Sequence, residues 1–484
     1  MKRPISMLDV VVFLMVAFAI IIGGLVYVKA PPAIVLLTAG VTLIIMAIMR
    51  GIQWKDIEKD IFDTMQKILL PALILLAVGM LIGAWMISGT IPLIINYGLL
   101  VLQPSIFLIA ALLICSITSI LTGTSWGTIG TVGIALMGVS TGLGIPTEYT
   151  AAAIITGAFF GDKLSPLSDS TIIASALTEV NLIEHIKHLL STTMPGYVIS
   201  IFLFVILGFQ LNEKQYETGN ESVVLITGTL QDSFHLNPLL LLPPLLVLVL
   251  VFKRSSPLPV FMLGIITACV LAVAVQGSSL ADIAKTLSDG YVGTTGVEIV
   301  DSMLSQGGLQ SMFSTVMIFF ASSILAAPLK TTGILQLMID TILKKVKSSK
   351  AMMTCSLFLH GGFYCVTGNF SSSYAVMGPI LSPLYDKYGL HRKNLSRSLE
   401  DTGTAIGPGI PWGISAVFIM NTLNVSVSQY ILITPIIYTG VIFALIYIYT
   451  GFSIARNNTV PIEALPLKSG SSDRQEHSKS VDSL

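Results

Sequence analysis

Charge is scarce in this sequence. Of its 484 residues, 11% are Asp, Glu, Lys or Arg, less than half the share of about 25% in an ordinary soluble domain. The 26 basic and 26 acidic side chains cancel to a formal net charge of zero. That composition excludes a disordered chain, a nucleic-acid binder working through basic surface and almost any soluble enzyme. Cysteine is scarce as well: Cys115, Cys269, Cys355 and Cys365 all lie in apolar runs with no Cys-x-x-Cys pair. Neither a disulfide framework nor a zinc ribbon is expected. No Gly-x-x-x-x-Gly-Lys-Ser/Thr run occurs, so nothing supports ATP-driven work by this chain. No nucleophile–base or metal set stands out either, so an enzyme and a bound cofactor are not expected.

What the chain has is apolar length. Apolar types make up 53% of it, mean hydropathy is +0.84, and one polytopic membrane domain is the architecture this predicts. A membrane helix needs about 20 mostly apolar residues, and spans are expected at 8–28, 32–49, 68–88, 195–210, 237–252, 257–276, 311–329 and 429–450. The first is read as a span and not a secretory signal, because no small-residue cleavage site follows it. Regions 148–178 and 398–424 are long enough to cross but are interrupted by polar, Gly- and Pro-rich stretches. Regions 105–145 and 351–384 are each two apolar pieces joined by a small-residue break, either re-entrant hairpins or pairs of shorter spans. Short helices are expected at 91–103 and 334–345.

The halves resemble each other. Trp54–Lys59 followed by Asp63 matches Leu280–Lys285 followed by Asp289. Gly123, Gly133, Gly144 and Pro166 fall on Gly368, Gly378, Gly389 and Pro411, 245 positions on. The larger offset of the second set fits an insertion around 290–309. If the breaks at 123–128 and 368–373 are hairpin tips, each half crosses the membrane an odd number of times and the second half is inverted. With the N-terminus inside, the outer loops then hold only Lys29, Lys214 and Lys285, Lys163 lies within a span, and the other basic residues are cytoplasmic, as the positive-inside rule requires. The expected organisation is a first transmembrane repeat over 1–210, an external loop over 211–236, a second inverted repeat over 237–455 and a disordered cytoplasmic tail over 456–484. Both termini are cytoplasmic in this arrangement.

Inverted repeats with interrupted helices are a transporter plan, in which unwound backbone near the midplane offers oxygens and helix ends to ions. The first break, Gly123-Thr124-Ser125-Trp126-Gly127-Thr128, suits a hairpin tip presenting oxygen ligands; a small-residue packing face is the competing reading. Its match to Gly368-Asn369-Phe370-Ser371-Ser372-Ser373 favours the tip. Thr124, Ser125, Thr128, Asn369, Ser371 and Ser372 are therefore candidate ligands. The second break runs Gly161-Asp162-Lys163-Leu164-Ser165-Pro166-Leu167-Ser168-Asp169-Ser170-Thr171. A charge at the bilayer centre costs roughly 2.5–3.5 kcal/mol on insertion scales and so marks ion or proton paths. Asp162 and Asp169, with the hydroxyls of Ser165, Ser168 and Thr171 nearby, are candidates for such a path, and a cytoplasmic loop between two short helices is the competing reading. Lys163 is expected to point to the cytoplasm more than to pair with an acid. Opposite in the repeat lie Glu400 and Asp401, either buried acids or residues of the cytoplasmic mouth near Arg397; Asp401 is favoured because Thr402, Gly403 and Thr404 follow it. Glu184-His185-Ile186-Lys187-His188 is read as a cytoplasmic amphipathic helix and not as a metal pair, and His360 as a packing histidine or a proton relay.

The runs G-T-S-W-G-T-I-G-T and G-A-F-F-G-D-K-L-S-P-L-S-D-S-T, with the later S-R-S-L-E-D-T-G-T and G-P-G-I-P-W, resemble the NhaC family of bacterial sodium/proton antiporters over most of the chain. The resemblance implies an all-α carrier with inverted repeats, re-entrant hairpins and broken helices in the bacterial cytoplasmic membrane. Its site residues carry over to Asp162, Ser165, Ser168, Asp169 and Thr171, and to Glu400, Asp401 and Thr404. Some members of that family exchange malate against lactate and others carry amino acids, so the partners it implies are the lipid bilayer, Na+, H+ and, in the alternative, a small carboxylate or an amino acid. Nucleic acid is not among them; a homodimer is left as one candidate assembly.

Overall fold

The computed structural model describes residues 5–211, 213–253, 255–346 and 348–457. The expected disordered tail lies, from residue 458 on, outside the described residues. Among the described residues every named element is helical. Seven helices are long and apolar enough to cross a membrane, or nine if the bent pairs Val223–Ser233 with Pro238–Leu250 and Val427–Ile433 with Ile436–Thr450 each count as one span. The chain is an all-α polytopic membrane protein.

The helices sort into two bundles by their packing. One joins Met7–Ile22, Pro32–Met49, Trp54–Ile87, Leu242–Phe252, Pro257–Ala274 and Phe313–Thr331; the other joins Pro104–Thr122, Thr147–Leu164, Leu182–Gln210, Ser349–Thr367, Phe370–Lys387, Lys393–Thr402 and Ile436–Thr450. Each bundle therefore takes helices from both halves of the sequence. Polar contacts tie the halves of the second bundle together at one end. Lys393 Nζ donates to Glu184 Oε1 at 2.6 Å, and Arg392 pairs with both Asp386 and Glu179.

Within the second bundle one local plan occurs twice. Helix Pro104–Thr122 ends on Gly123 at φ +69°, and helix Ser349–Thr367 ends on Gly368 at φ +63°. The next residue caps the following helix in each case: Thr124 accepts from the Gly127 amide at 3.2 Å, and Asn369 from the Ser372 amide at 3.3 Å. A Cβ on Gly123 would lie 2.8 Å from the Leu167 carbonyl carbon, and one on Gly368 would lie 3.3 Å from the Trp412 carbonyl oxygen. Leu167 and Trp412 are themselves 245 positions apart, so the offset seen in the residue pattern reappears in the contacts. Both glycines hold a left-handed turn that lets a tip press against backbone.

Both interrupted regions are broken helices. Thr147–Leu164 and Asp169–Leu177 flank the first break; Lys393–Thr402 and Ile414–Leu423 flank the second. The short helices Thr90–Val101 and Ile334–Lys345 are also present. Residues 211–236 differ from the loop expected there, because they contain the helix Glu213–Ser233. The reason is a stripe missed in the sequence: Ile226, Leu230 and Phe234 recur every four residues and are all buried. The segment 290–309 forms a folded loop with a short helix, Glu298–Leu304. Asp301 pins it by accepting from the Thr295 amide at 2.6 Å, the Thr295 hydroxyl at 2.8 Å and the Gly296 amide at 3.1 Å.

Two outcomes follow from these contacts. Gly144 has the same left-handed backbone, φ +67°, but open space around it. Gly123→Ala should therefore lower the apparent melting temperature of the detergent-purified protein more than Gly144→Ala, which carries only the strain of about 1–2 kcal/mol. Equal shifts would mean that the Leu167 contact is slack. The backbone hydrogen bond from Thr295 holds the Asp301 carboxyl below its usual pKa. Its anchoring is thus complete above the ordinary carboxylate range, about 3.9, and fades as pH falls through the lowered value. Amide exchange over 293–301 should accelerate only under acid conditions.

Candidate functional site

The first break is dictated by Pro166, which forces the preceding residue out of the helical region. Ser165 is extended at φ −81°, ψ 129°, and so is Ser168 at φ −69°, ψ 133°. The Thr171 hydroxyl donates to the carbonyls of Ser165 and Ser168, each at 3.1 Å, and the Ser165 hydroxyl accepts from the Leu167 amide at 3.3 Å. Ser165 and Thr171 thus satisfy the backbone that the break leaves open. The Ser168 hydroxyl meets that of Ser170 at 3.1 Å.

Asp162 sits in the last turn before the break and is 5% exposed. Its Oδ2 accepts from the Ser125 hydroxyl at 2.9 Å, whereas its Oδ1 is buried with no hydrogen-bond partner. Asp169 opens the helix after the break, where free backbone N–H groups favour a carboxylate. It is the exposed member of the set. Asp162, Asp169, Thr124, Ser125, Thr404 and Ser415 line one cavity of about 70 Å³, closed on another side by Pro71 and Ile74 of the other bundle. The break, the first hairpin tip and the second broken helix therefore converge on one small space.

On the second broken helix Glu400 and Asp401 are both fully buried, which decides between the two readings of the sequence. Thr404 donates to Glu400 Oε2, and Glu400 Oε1 is left without a partner. Asp401 turns elsewhere. Its Oδ1 accepts from the Thr192 hydroxyl at 3.0 Å and lies 3.7 Å from Lys163 Nζ. Lys163 is 2% exposed and does not point to the cytoplasm as expected. Consecutive helical residues project about 100° apart, so Asp162 faces the cavity while Lys163 reaches the Asp401 side. Arg397 is likewise fully buried and donates to the Ser453 carbonyl at 2.9 Å and the Ser191 hydroxyl at 3.1 Å.

The tips differ in what they offer. At the first, Ser125 binds Asp162 while the Thr128 hydroxyl donates back to the Thr124 carbonyl at 2.9 Å. At the second, the apolar Phe370 lines the cavity. Asn369 caps its helix, Ser371 and Ser372 are buried, and Asn369 Nδ2 and Ser372 Oγ have no partner. Ser415 and Phe370 were missed in the sequence, since only the folded break brings them round. His360 is held on both ring nitrogens, by the Thr402 hydroxyl at 2.7 Å and the Ser373 hydroxyl at 3.1 Å. The 184–188 run is helical, with His185 and Ile186 buried and Lys187 exposed. It opens the long helix Leu182–Gln210, with His185 against the Ser396 hydroxyl at 2.8 Å and His188 against Asn394 at 3.2 Å. Each histidine meets the second broken helix through one ring nitrogen, and His185 Nε2 is buried without a partner. Among the described residues no group of three His, Cys, Asp or Glu is arranged to hold a metal.

The charges around the breaks do not balance. Asp162, Asp169, Glu400 and Asp401 bring four carboxylates; Lys163 and Arg397 bring two cations, of which Lys163 is paired with Asp401. Asp162 and Glu400 each keep one buried oxygen without a partner. An oxygen of that kind is costly unless a proton or cation joins it, and Asp162 presents its carboxyl where a small ion has room.

A family model described as the Na+/H+ antiporter family matches residues 4–175 and 157–452. The Na+/H+ antiporter NhaC of Bacillus subtilis is 38% identical over 434 residues, 90% of this chain and 95% of its own length. The Na+/H+ antiporter NhaC of Alkalihalophilus pseudofirmus is 34% identical over 92% of this chain and 96% of its own. The malate-2H+/Na+-lactate antiporter of Bacillus subtilis is also 34% identical, over 95% of this chain and 98% of its own.

Removing one partner of a buried ion pair costs about 3–5 kcal/mol, because the other charge is stranded. Lys163→Met should therefore destabilise the purified protein severely, and adding Asp401→Asn should restore most of the loss. Strictly additive losses in the double variant would show that the two side chains do not act as a pair.

Proposed function

The chain belongs to the Na+/H+ antiporter family, and from that membership we propose that it exchanges Na+ for H+ across the bacterial cytoplasmic membrane at Asp162 and Asp169. The observation that carries this reading is the buried, partnerless Oδ1 of Asp162 beside a small cavity that Asp169 also lines. Both termini lie on the cytoplasmic side and the second repeat is inverted, a topology supported by the sorting of basic residues to one side.

Exchange follows from charge. An ionised, empty carboxylate at membrane depth is the expensive state. Either a proton neutralises it, or Na+ sits against it with help from neighbouring oxygens, those of Ser125 and Ser168 among them. Occupancy by one excludes the other, so a site that is exposed to each side in turn couples the two gradients. Lys163 is held by Asp401 and leaves Asp162 and Asp169 to the transported ion. Glu400, uncompensated and close to the same break, takes part in the same charge balance. The cavity is small, about 70 Å³, which suits a monovalent cation better than malate or an amino acid. The bundle containing the two broken helices moves against the one that supplies Pro71 and Ile74.

In everted vesicles, Asp162→Asn and Asp169→Asn should each reduce Na+-dependent proton movement to the level of vesicles without the protein. Undiminished exchange in Asp169→Asn would remove that residue from the site. Malate, lactate and amino acids should leave the exchange unchanged; a strict requirement for one of them would establish the organic-substrate reading instead.

A further inference from the structure

A second, larger cavity lies at the end of the molecule that the basic-residue distribution assigns to the outside. It measures about 420 Å³ and is lined by Asp289, Tyr291, Gln306, Asn421, Thr422 and Asn424, with Ile82 and Ile134 also in its wall. Its walls join Ile82 of helix Trp54–Ile87, in the first bundle, to the end of helix Ile414–Leu423. Asn421, Thr422 and Asn424 close the second broken helix, whereas Asp289 ends helix Leu280–Asp289 and Tyr291 and Gln306 belong to the loop that follows it. Most of that loop is the insertion with no counterpart in the first half. It is docked on helix Trp54–Ile87, where the Gly308 amide donates to the Gly79 carbonyl at 2.8 Å.

Three stretches of chain connect this cavity with the small one around Asp162. Ile74 and Ile82 lie on one helix, Trp126 and Ile134 on the helical stretch after the first tip, and Ser415 and Thr422 on the third. Separations of seven or eight residues correspond to about 10–12 Å along a helix. Buried aromatic side chains lie along these stretches. Trp126 packs against Phe319 and Phe418 with ring centroids 5.8 Å apart in both pairs, and Phe319 comes from the other bundle.

We infer that the outer cavity is the external port of the ion path, receiving a hydrated monovalent cation, and that the Trp126–Phe319–Phe418 layer is the closed barrier between port and exchange site. The inference rests on the Na+/H+ reading for the identity of the ion. Asp289 is the one charged side chain in the lining, so the port attracts cations and disfavours a carboxylate substrate. Its other polar groups are neutral hydroxyls, amides and a phenol, which suit an ion that keeps its water shell. The volume of about 420 Å³ leaves room for such a shell. The Thr422 hydroxyl, 4% exposed and without a protein partner, is an uncommitted donor and acceptor on this wall. Because the aromatic layer spans both bundles, their relative movement would part it.

The test uses the full chain in right-side-out vesicles and a membrane-impermeant maleimide, with the native-cysteine parent as baseline. Asn424→Cys should react promptly from outside, and Ser415→Cys roughly ten times more slowly or not at all, since thiol reactivity follows access. Adding Phe418→Ala, or Phe319→Ala should the first fail to fold, should raise labelling of Ser415→Cys toward the Asn424→Cys rate. Equal labelling of both cysteines with the layer intact would overturn the barrier. Failure of Asn424→Cys to react from outside, while it reacts in solubilised protein, would overturn the port. Asp289→Asn should raise the external Na+ concentration for half-maximal exchange severalfold and leave the maximal rate unchanged; an unmoved half-saturation would overturn the cation role. Labelling needs no transport, so the predicted pattern in vesicles lacking Na+/H+ exchange would uphold the port while refuting the exchange reading.

Discussion

Negative charge held in a medium that cannot solvate it is the constraint on which this molecule is organised. Four carboxylates converge near the two helix breaks, Asp162, Glu400 and Asp401 of them buried, and the protein supplies Lys163 and Arg397 against them. Lys163 is spent on Asp401 at 3.7 Å. Asp162 therefore keeps a bare buried oxygen, and the hydroxyl of Ser125 stabilises its other oxygen without neutralising it. A fully compensated cluster would be inert, and an uncompensated one with no room beside it would simply stay protonated. On the proposed reading, the small cavity beside Asp162 and Asp169 is where protonation and cation binding compete.

The surrounding fold keeps that cluster in place. The left-handed glycines at the two tips, Gly123 and Gly368, press against the breaks at Leu167 and at Trp412–Gly413. Pro166 sets where the first helix stops. Hydroxyls that resemble ion ligands in the sequence, those of Ser165 and Thr171, hold the unwound backbone. The polar seam between helix Leu182–Gln210 and helix Lys393–Thr402 joins the two halves of the sequence in one bundle, through His185, His188 and Thr192. A rigid bundle carrying the site and a second bundle forming its wall are the parts that alternating exposure requires.

Much of this was legible in the residues. Hydropathy located the spans, Pro and Gly located the breaks, and charges inside apolar runs singled out Asp162 and Asp169, whereas of the Glu400–Asp401 pair the sequence favoured Asp401, the acid that meets Lys163. The offset of 245 between the hairpin glycines proved to be an offset between contacts as well. Other features were not legible because they depend on which way neighbouring side chains point. Asp162 and Lys163 are adjacent in sequence yet face different partners, as are Glu400 and Asp401, and only the packing of the helices decides which acid meets the lysine. Ser415 and Phe370 reach the cavity through tertiary folding alone. The helix at Glu213–Ser233 was hidden by its polar first half, although its apolar stripe was there to be read.

The most direct test of the central claim measures protons and Na+ on the purified protein without a membrane. Na+ added to a weakly buffered solution of the full chain should release protons in proportion to Na+ bound, and Asp162→Asn should abolish both binding and release. Na+ binding without proton release, or release that persists unchanged in Asp162→Asn, would contradict exchange at this carboxylate.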